Sequence, residues 1–361
     1  MNTNIVSKSE YKMLNTWYHE MLSQHLEKAT SLKQEMDKKI NEFTSNKELS
    51  TYYSLLNFRF QMLCGDFEKD LEDLSYLLEE PDNYLKYYYH FFQFIHASEL
   101  GQYTRAEHHY GLAEGLLSLM QNKEEQAEFH YRAALYHYYL AQPTLAINHV
   151  NKAIEFFSTA NGYKTKLGAC QNTLGMAYIT LEQYDMAEEY LLSALNILEQ
   201  EKESKAALTV RYNLGVFYAE QDLSELAIRH LTDAFEQFSQ PRVPYQKKGI
   251  HTLAKEHFKL GNLKEANFYV QEGLKDCTKE YEYRFTILKA MIENEPIEKL
   301  EKIILDAISY FKEQDLWKEI LNYSELLAVK WFDKGTKDKA CDYYRMNHEA
   351  RILLKEKRYL K

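Results

Sequence analysis

Leu174-Gly175, Tyr178, Ala187, Leu191 and Ala194 are followed, 40 positions on, by Leu214-Gly215, Tyr218, Ala227, Leu231 and Ala234. Two in-register copies of one pattern of small and bulky residues describe a helical repeat of tetratricopeptide type. In such a repeat the Leu-Gly-Tyr edge of a first helix packs against small alanines of a second. Neither helix buries its apolar face without its neighbours, so repeats stack. The register extends upstream through Ala134, Ala146, Val150 and Ala153 and downstream through Leu253, Ala254, Ala266, Val270 and Gly273. Weaker copies run through Ala106, Tyr110 and Ala113, and through Ala328, Trp331, Ala340, Tyr344 and Asn347. Five or six repeats are expected over roughly residues 85–361. The fold class is all-α, with a right-handed tetratricopeptide superhelix whose concave groove carries function.

Composition agrees with that reading. The 361 residues hold 5 prolines and 12 glycines, few for a sheet-rich or linker-rich chain. Pro81, Pro143, Pro241, Pro244 and Pro296 fall between helical patterns. A formal charge of −10 opposes a surface that neutralises many phosphates, so no direct nucleic-acid partner is expected. Met1 to Lys12 has neither an apolar core nor a cleavage site, and no window of 18 apolar residues exists. A cytoplasmic protein with no membrane partner is expected.

Cys64, Cys170, Cys277 and Cys341 form no CxxC pair and are read as reduced, buried, small hydrophobes. Among the 13 histidines, adjacent His108 and His109 point about 100° apart on a helix and do not share an ion easily, so no metal site is expected. Tyr87-Tyr88-Tyr89 and Tyr136-His137-Tyr138-Tyr139 lack interleaved basic residues and are read as packing aromatics rather than base-stacking platforms.

Ahead of the repeats, amphipathic patterns at about 8–24, 27–44 and 48–64 predict a three-helix bundle over residues 1–66. Gly65 ends its third helix. A connector helix around Phe67 to Glu79 then leads through Glu80-Pro81-Asp82-Asn83 into the repeat domain of residues 85–361, so residues 67–84 form a connector or hinge.

Within this bundle Leu14-Asn15-Thr16-Trp17-Tyr18 is followed by Tyr52-Tyr53-Ser54-Leu55-Leu56-Asn57-Phe58-Arg59. Farther on come Leu85-Lys86-Tyr87-Tyr88-Tyr89-His90-Phe91-Phe92, Ala127-Glu128-Phe129, Gln183-Tyr184 and Tyr212-Asn213-Leu214-Gly215. On these stretches the whole chain resembles the Rap regulators of Bacillus quorum sensing, which act in processes such as sporulation and competence. The resemblance implies a bundle that grips a bacterial response regulator, by its receiver or its DNA-binding domain. It implies repeats that bind a short secreted and re-imported Phr-like peptide, which turns that grip off. No cofactor is implied beyond the magnesium a receiver carries.

The resemblance also assigns residues. Some family members are phosphatases that insert a bundle glutamine into the receiver to orient water toward the aspartyl phosphate; others only block a regulator. Counting back from Tyr52-Tyr53, the glutamine position is Lys47. Lysine has three donors and no acceptor, so it neutralises a phosphoryl oxygen but cannot accept a proton from water. Neighbouring Asn46 and Glu48 carry the acceptors that a one-residue shift of register would present, and the same stretch reads as an ordinary helix start capped by Ser45 or Asn46. Phe58 matches the regulator contact, although Leu55 and Phe58 also share one helical face as core residues do. Asn213 matches an asparagine that holds the peptide backbone, and Asn172 lies similarly one repeat earlier, shifted by a residue. Thr180 stands where the family commonly has an aspartate that pairs with a basic peptide residue, so the cognate peptide is expected to lack that arginine. Three readings follow: a non-catalytic regulator that sequesters its partner, an active aspartyl-phosphate phosphatase, and a general solenoid adaptor.

Overall fold

The computed structural model describes residues 3–44, 46–68, 71, 83–202, 204–237, 243–314 and 316–359. Every regular element among them is an α-helix. The chain divides into two compact units, Met1–Glu203 and Ser204–Lys361.

The first unit opens with α1 (Thr3–Leu22), α2 (Leu26–Lys38), a short α3 (Ile40–Thr44) and α4 (Lys47–Leu63). These are the three expected bundle helices, the second broken by a turn at Lys39. Their apolar faces meet in a core that includes Leu14, Trp17, Met21, Ala29, Met36, Phe43, Leu55 and Leu56. Trp17 sits between the rings of Tyr53 and Phe60, at centroid distances of 6.0 and 5.5 Å, and its Nε1 donates to the Ala29 carbonyl at 2.9 Å. A buried indole is thus both packed and hydrogen-bonded, as its polar end requires. Gly65, at φ +85°, closes α4 with its N–H on the Met62 carbonyl, a left-handed position suited to glycine. Most of the connector expected around 67–79, and of the 67–84 hinge, lies outside the described residues.

Three antiparallel helix pairs complete this unit: α5 (Asn83–Glu99) with α6 (Tyr103–Leu117), α7 (Lys123–Tyr139) with α8 (Pro143–Phe157), and α9 (Lys164–Thr180) with α10 (Tyr184–Gln200). The second unit holds α11 (Ser204–Glu220) with α12 (Ser224–Gln237), α13 (Val243–Lys259) with α14 (Leu263–Leu274), α15 (Lys279–Ile292) with α16 (Ile297–Glu313), and α17 (Trp317–Asp333) with α18 (Lys337–Tyr359). The described residues therefore form seven helix pairs, more than the five or six read from the sequence. The pair that escaped is α15 and α16, which lacks the Leu-Gly edge. It packs instead through larger groups, Leu300, Ile304, Ala307, Ile308 and Phe311, all buried along one face.

The Leu-Gly signature has a steric cause. A methyl group built on Gly175 would lie 2.6 Å from Leu191 Cγ and 3.1 Å from the Ala187 carbonyl oxygen. On Gly215 it would lie 2.5 Å from Leu231 Cγ and 3.2 Å from the Ala227 oxygen. The second helix therefore seats its leucine directly on the backbone of the first.

Two expectations change. All four cysteines are free, but only Cys170 is buried; Cys64 lies in the turn after α4 and Cys341 on α18, both exposed, and Cys277 is intermediate. Prolines sit at helix starts rather than between helices: Pro143 opens α8, Pro244 is the second residue of α13 and Pro296 is the N-cap of α16. There a missing N–H leaves no bond unmade. Pro81 and Pro241 lie outside the described residues.

Candidate functional site

The α4 start is built by capping. Asn46 is extended, and its Oδ1 accepts the N–H groups of Glu48 at 2.8 Å and Leu49 at 3.3 Å. Lys47 and Glu48 follow as exposed residues of the first turn, with Glu48 at the positive end of the helix. Of the three candidate side chains, Asn46 already uses its acceptor on the backbone; Lys47 and Glu48 face solvent. Ser45 lies outside the described residues.

Phe58 is different in kind. It is 4% exposed and packs on His96 of α5, with ring centroids 5.1 Å apart. Its neighbourhood is core. In this arrangement of the bundle the Phe58 ring is enclosed between α4 and α5.

The same enclosure extends along the bundle. Tyr18 of α1 meets Tyr88 and Phe92 of α5 edge-on, at centroid distances of 5.6 and 5.9 Å. Tyr52 of α4 lies 5.3 Å from Tyr88 and donates its hydroxyl to Asn15 Oδ1 at 3.0 Å. Toward α7 the contacts turn polar. His19 Nδ1 is 3.1 Å from both oxygens of Glu124, and the Tyr163 hydroxyl approaches that same nitrogen at 3.3 Å. Tyr88 donates to Glu125 at 2.9 Å. Burial pushes the Glu125 carboxyl up to about 7, even though the Tyr88 hydroxyl stabilises its anion.

At the centre of this seam stands Glu128 of α7, 1% exposed. Lys166 Nζ of α9 lies 2.6 Å from its Oε2, and Arg132 Nε lies 2.9 Å from its Oε1. Arg59 Nη2 of α4 reaches the same Oε1 at 3.5 Å. Burial alone would raise the Glu128 carboxyl, but Lys166, Arg132 and Arg59 hold it down at about 2. Burial pushes Lys166 down to about 8 despite its carboxylate partner. Sequence reasoning assigned none of these roles. The available signal was a charge inside an aromatic or apolar run, as in Phe58-Arg59-Phe60 and Ala127-Glu128-Phe129.

The peptide-contact candidates fall on first helices of their pairs. Asn172 and Thr180 both belong to α9, in the first unit, and Asn213 belongs to α11, in the second. Asn172 and Asn213 are half-buried. Asn213 follows closely on Arg211, whose guanidinium pairs with Asp233 Oδ2 of α12 at 2.6 Å. Thr180 is exposed at the last position of α9, and its hydroxyl donates back to the Met176 carbonyl at 3.2 Å. It offers no charge there.

His108 and His109 lie with ring planes 73° apart, and His109 Nδ1 instead meets His90 Nδ1 at 3.0 Å. Among the described residues no three His, Cys, Asp or Glu side chains converge as a metal site. None of the described helices is long and apolar enough to cross a membrane.

Comparison with known proteins bears on both ends of this architecture. Residues 4–65, which span the bundle, match the family of the N-terminal region of response regulator aspartate phosphatase H, and residues 169–201 match a tetratricopeptide repeat. Response regulator aspartate phosphatase I of Bacillus subtilis (strain 168) is 27% identical over 359 residues, covering 96% of this chain and 91% of that protein. The crystal structure of the apo form of RapI superposes with a TM-score of 0.72 at 26% identity, over 96% of this chain and 98% of that one. The Rap conjugation gene regulator of plasmid pLS20, solved in complex with the Phr* peptide, shares the fold at 20% identity, with a TM-score of 0.61 and 96% of each chain covered. The match over the bundle, the tetratricopeptide pairs and a likeness to Rap proteins that runs nearly end to end together support the Rap family.

Proposed function

We propose that this chain is a peptide-controlled regulator that binds a bacterial response regulator through α1–α4 and holds it without hydrolysing its aspartyl phosphate. Lys47 carries the reading. It occupies the position where the resemblance calls for a glutamine, and its ammonium cannot accept a proton from an attacking water. Asn46 does not replace the glutamine, because its amide oxygen is spent on two backbone N–H groups of the cap.

Control then comes from the repeats. Each unit carries an asparagine on the first helix of a pair, Asn172 on α9 and Asn213 on α11, and either amide suits the unpaired backbone donors and acceptors of an extended peptide. Thr180 brings no carboxylate, so the peptide's basic residue, common in the family, has no partner there. A relative of the same fold is named for its complex with a Phr* peptide, which supports a ligand of that class. The seam supplies a switch. With the bundle seated on α5–α9, Phe58 is covered; when the bundle departs, the aromatic face of α4 becomes available to the regulator. A peptide that favours the seated arrangement shifts the population away from regulator binding, by as much as its affinities for the two arrangements differ. The reading places the protein in the cytoplasm, where response regulators act.

A second reading, an active phosphatase, rests on Glu48, an exposed carboxylate beside Lys47 that can accept a proton. Phosphate release from a phosphorylated receiver of the sporulation phosphorelay separates the two. Sequestration predicts binding without release, and release gained only in Lys47→Gln. Fast release by the unaltered protein, lost in Glu48→Gln, would establish the phosphatase. Failure to bind any receiver or full-length regulator would leave a general adaptor.

A further inference from the structure

We infer that Arg59 works against the seated bundle: it is a poorly satisfied cation carried into the seam by α4, and it keeps the bundle releasable from α5–α9. This rests on the reading above, in which release of the bundle uncovers the regulator-binding face.

The geometry around Glu128 is uneven. Lys166 takes one carboxylate oxygen at 2.6 Å and Arg132 takes the other at 2.9 Å. Arg59 shares that second oxygen at 3.5 Å, the outer limit of a hydrogen bond. Its side chain is 3% exposed, and its Nε has no hydrogen-bond partner among the described residues. The Tyr18 hydroxyl, brought to the same seam by α1, is likewise buried without a partner among the described residues. Three cations therefore meet one buried carboxylate. A second carboxylate, Glu99, stands at the rim 3.5 Å from Arg132 and is 37% exposed. One positive charge is left over.

The two sides of the seam differ in what they lose on separation. Arg132 and Lys166 belong to the repeat helices and stay with Glu128 when the bundle leaves. Arg59 leaves with α4, regains its hydration and escapes the repulsion of the other two cations. Burial and Arg132 both act to weaken its charge. One long, shared hydrogen bond does not offset the desolvation of a guanidinium, and buried ion pairs replaced by apolar groups of similar volume often gain stability. Aromatic ring contacts such as Tyr18 with Tyr88 and Phe58 with His96 hold the bundle down. Arg59 opposes them, which keeps the two arrangements close in free energy.

The test compares the full-length protein with Arg59→Met, Arg59→Lys and Glu128→Gln, by thermal unfolding and by amide hydrogen exchange in α1 and α4. Methionine fills similar space without charge. Arg59→Met is expected to raise the unfolding midpoint by about 3 °C or more and to slow exchange in α1 and α4 by about fivefold, while Arg59→Lys does neither. A lower midpoint, faster exchange or a misfolded Arg59→Met protein would overturn the inference, because Arg59 would then be a stabilising ion pair. In the Glu128→Gln background, where the attraction on Arg59 is gone, adding Arg59→Met should recover more stability than it adds to the unaltered protein; an equal or smaller gain would also overturn it. These readouts need no partner. A chain that binds no regulator would sink the proposed function and leave this result standing.

Discussion

The joint between α9 and α10 and the joint between the bundle and α7 are both buried, yet they are made from opposite materials. In the first, Leu191 rests on the bare backbone of Gly175, and Ala187 brings its carbonyl close. In the second, Arg59, Glu128, Arg132 and Lys166 meet in a charge cluster, ringed by hydroxyls and by the His19–Glu124 pair. Close apolar packing loses contacts as soon as it loosens and gains little from water in exchange. Charges regain hydration when they part, so a charged joint separates at smaller cost. The repeat joints are suited to permanence, and the bundle joint to being undone.

Five substitutions bear on that contrast, in falling order of effect. Glu128→Gln takes the shared carboxylate from buried Arg59 and Lys166 and from half-buried Arg132, and is expected to cost the first unit about 3–5 kcal/mol, read as a loss of midpoint in chemical denaturation. The glycine joints come next. Gly175→Ala and Gly215→Ala each force a methyl against a leucine and a backbone oxygen, and each should cost about 1–3 kcal/mol, the first in unit one and the second in unit two. If either is neutral, the joints are looser than their geometry implies.

Glu125 probes the seam through pH. Its carboxyl sits at about 7 against an ordinary 4.5, so the folded unit keeps a proton that the unfolded chain has released. That stabilisation is complete below pH 4.5 and fades as the pH rises through 7. Glu125→Gln, which stays neutral, should therefore gain on the unaltered protein between pH 5 and pH 8, measured as the difference in melting temperature. His90, His130 and His149, held by burial at about 4, pull the other way: stability is lost as the pH falls from 6.5 through 4. They are common to both proteins and cancel in the difference.

The smallest effect concerns the turns. Each of the seven described helix pairs turns through a left-handed residue: Gly101, Ala141, Glu182, Asp222, Gly261, Asn294 and Gly335. An L side chain is strained in that conformation. Glu182→Gly should relieve the strain and stabilise its unit by up to about 1 kcal/mol, visible as a small rise in melting temperature.

The repeats were legible in the sequence because their joints demand particular residue types at fixed spacing. Gly175 and Gly215 admit no side chain, so the same letters recur. Where Phe311 and Ile304 fill the joint instead, as in α15 and α16, many residues serve and the register fades from view. The α4 start was legible for the same reason, since an Asn cap is a local device. The seam was not. Arg59 and Glu128 are 69 residues apart, and nothing local in either helix announces that their charges meet. Phe58 illustrates the limit most plainly, because its face of α4 is fixed by spacing while its cover depends on α5.

The central claim is that the bundle, not the repeats, takes the response regulator. It is tested most directly by mixing the full-length protein with purified response regulators from its host and mapping the footprint of any complex by amide hydrogen exchange. The account predicts protection concentrated in α1–α4, together with faster exchange in the parts of α5 and α7 that the bundle had covered. A complex whose protection falls on the repeat helices and leaves α1–α4 unchanged would contradict it.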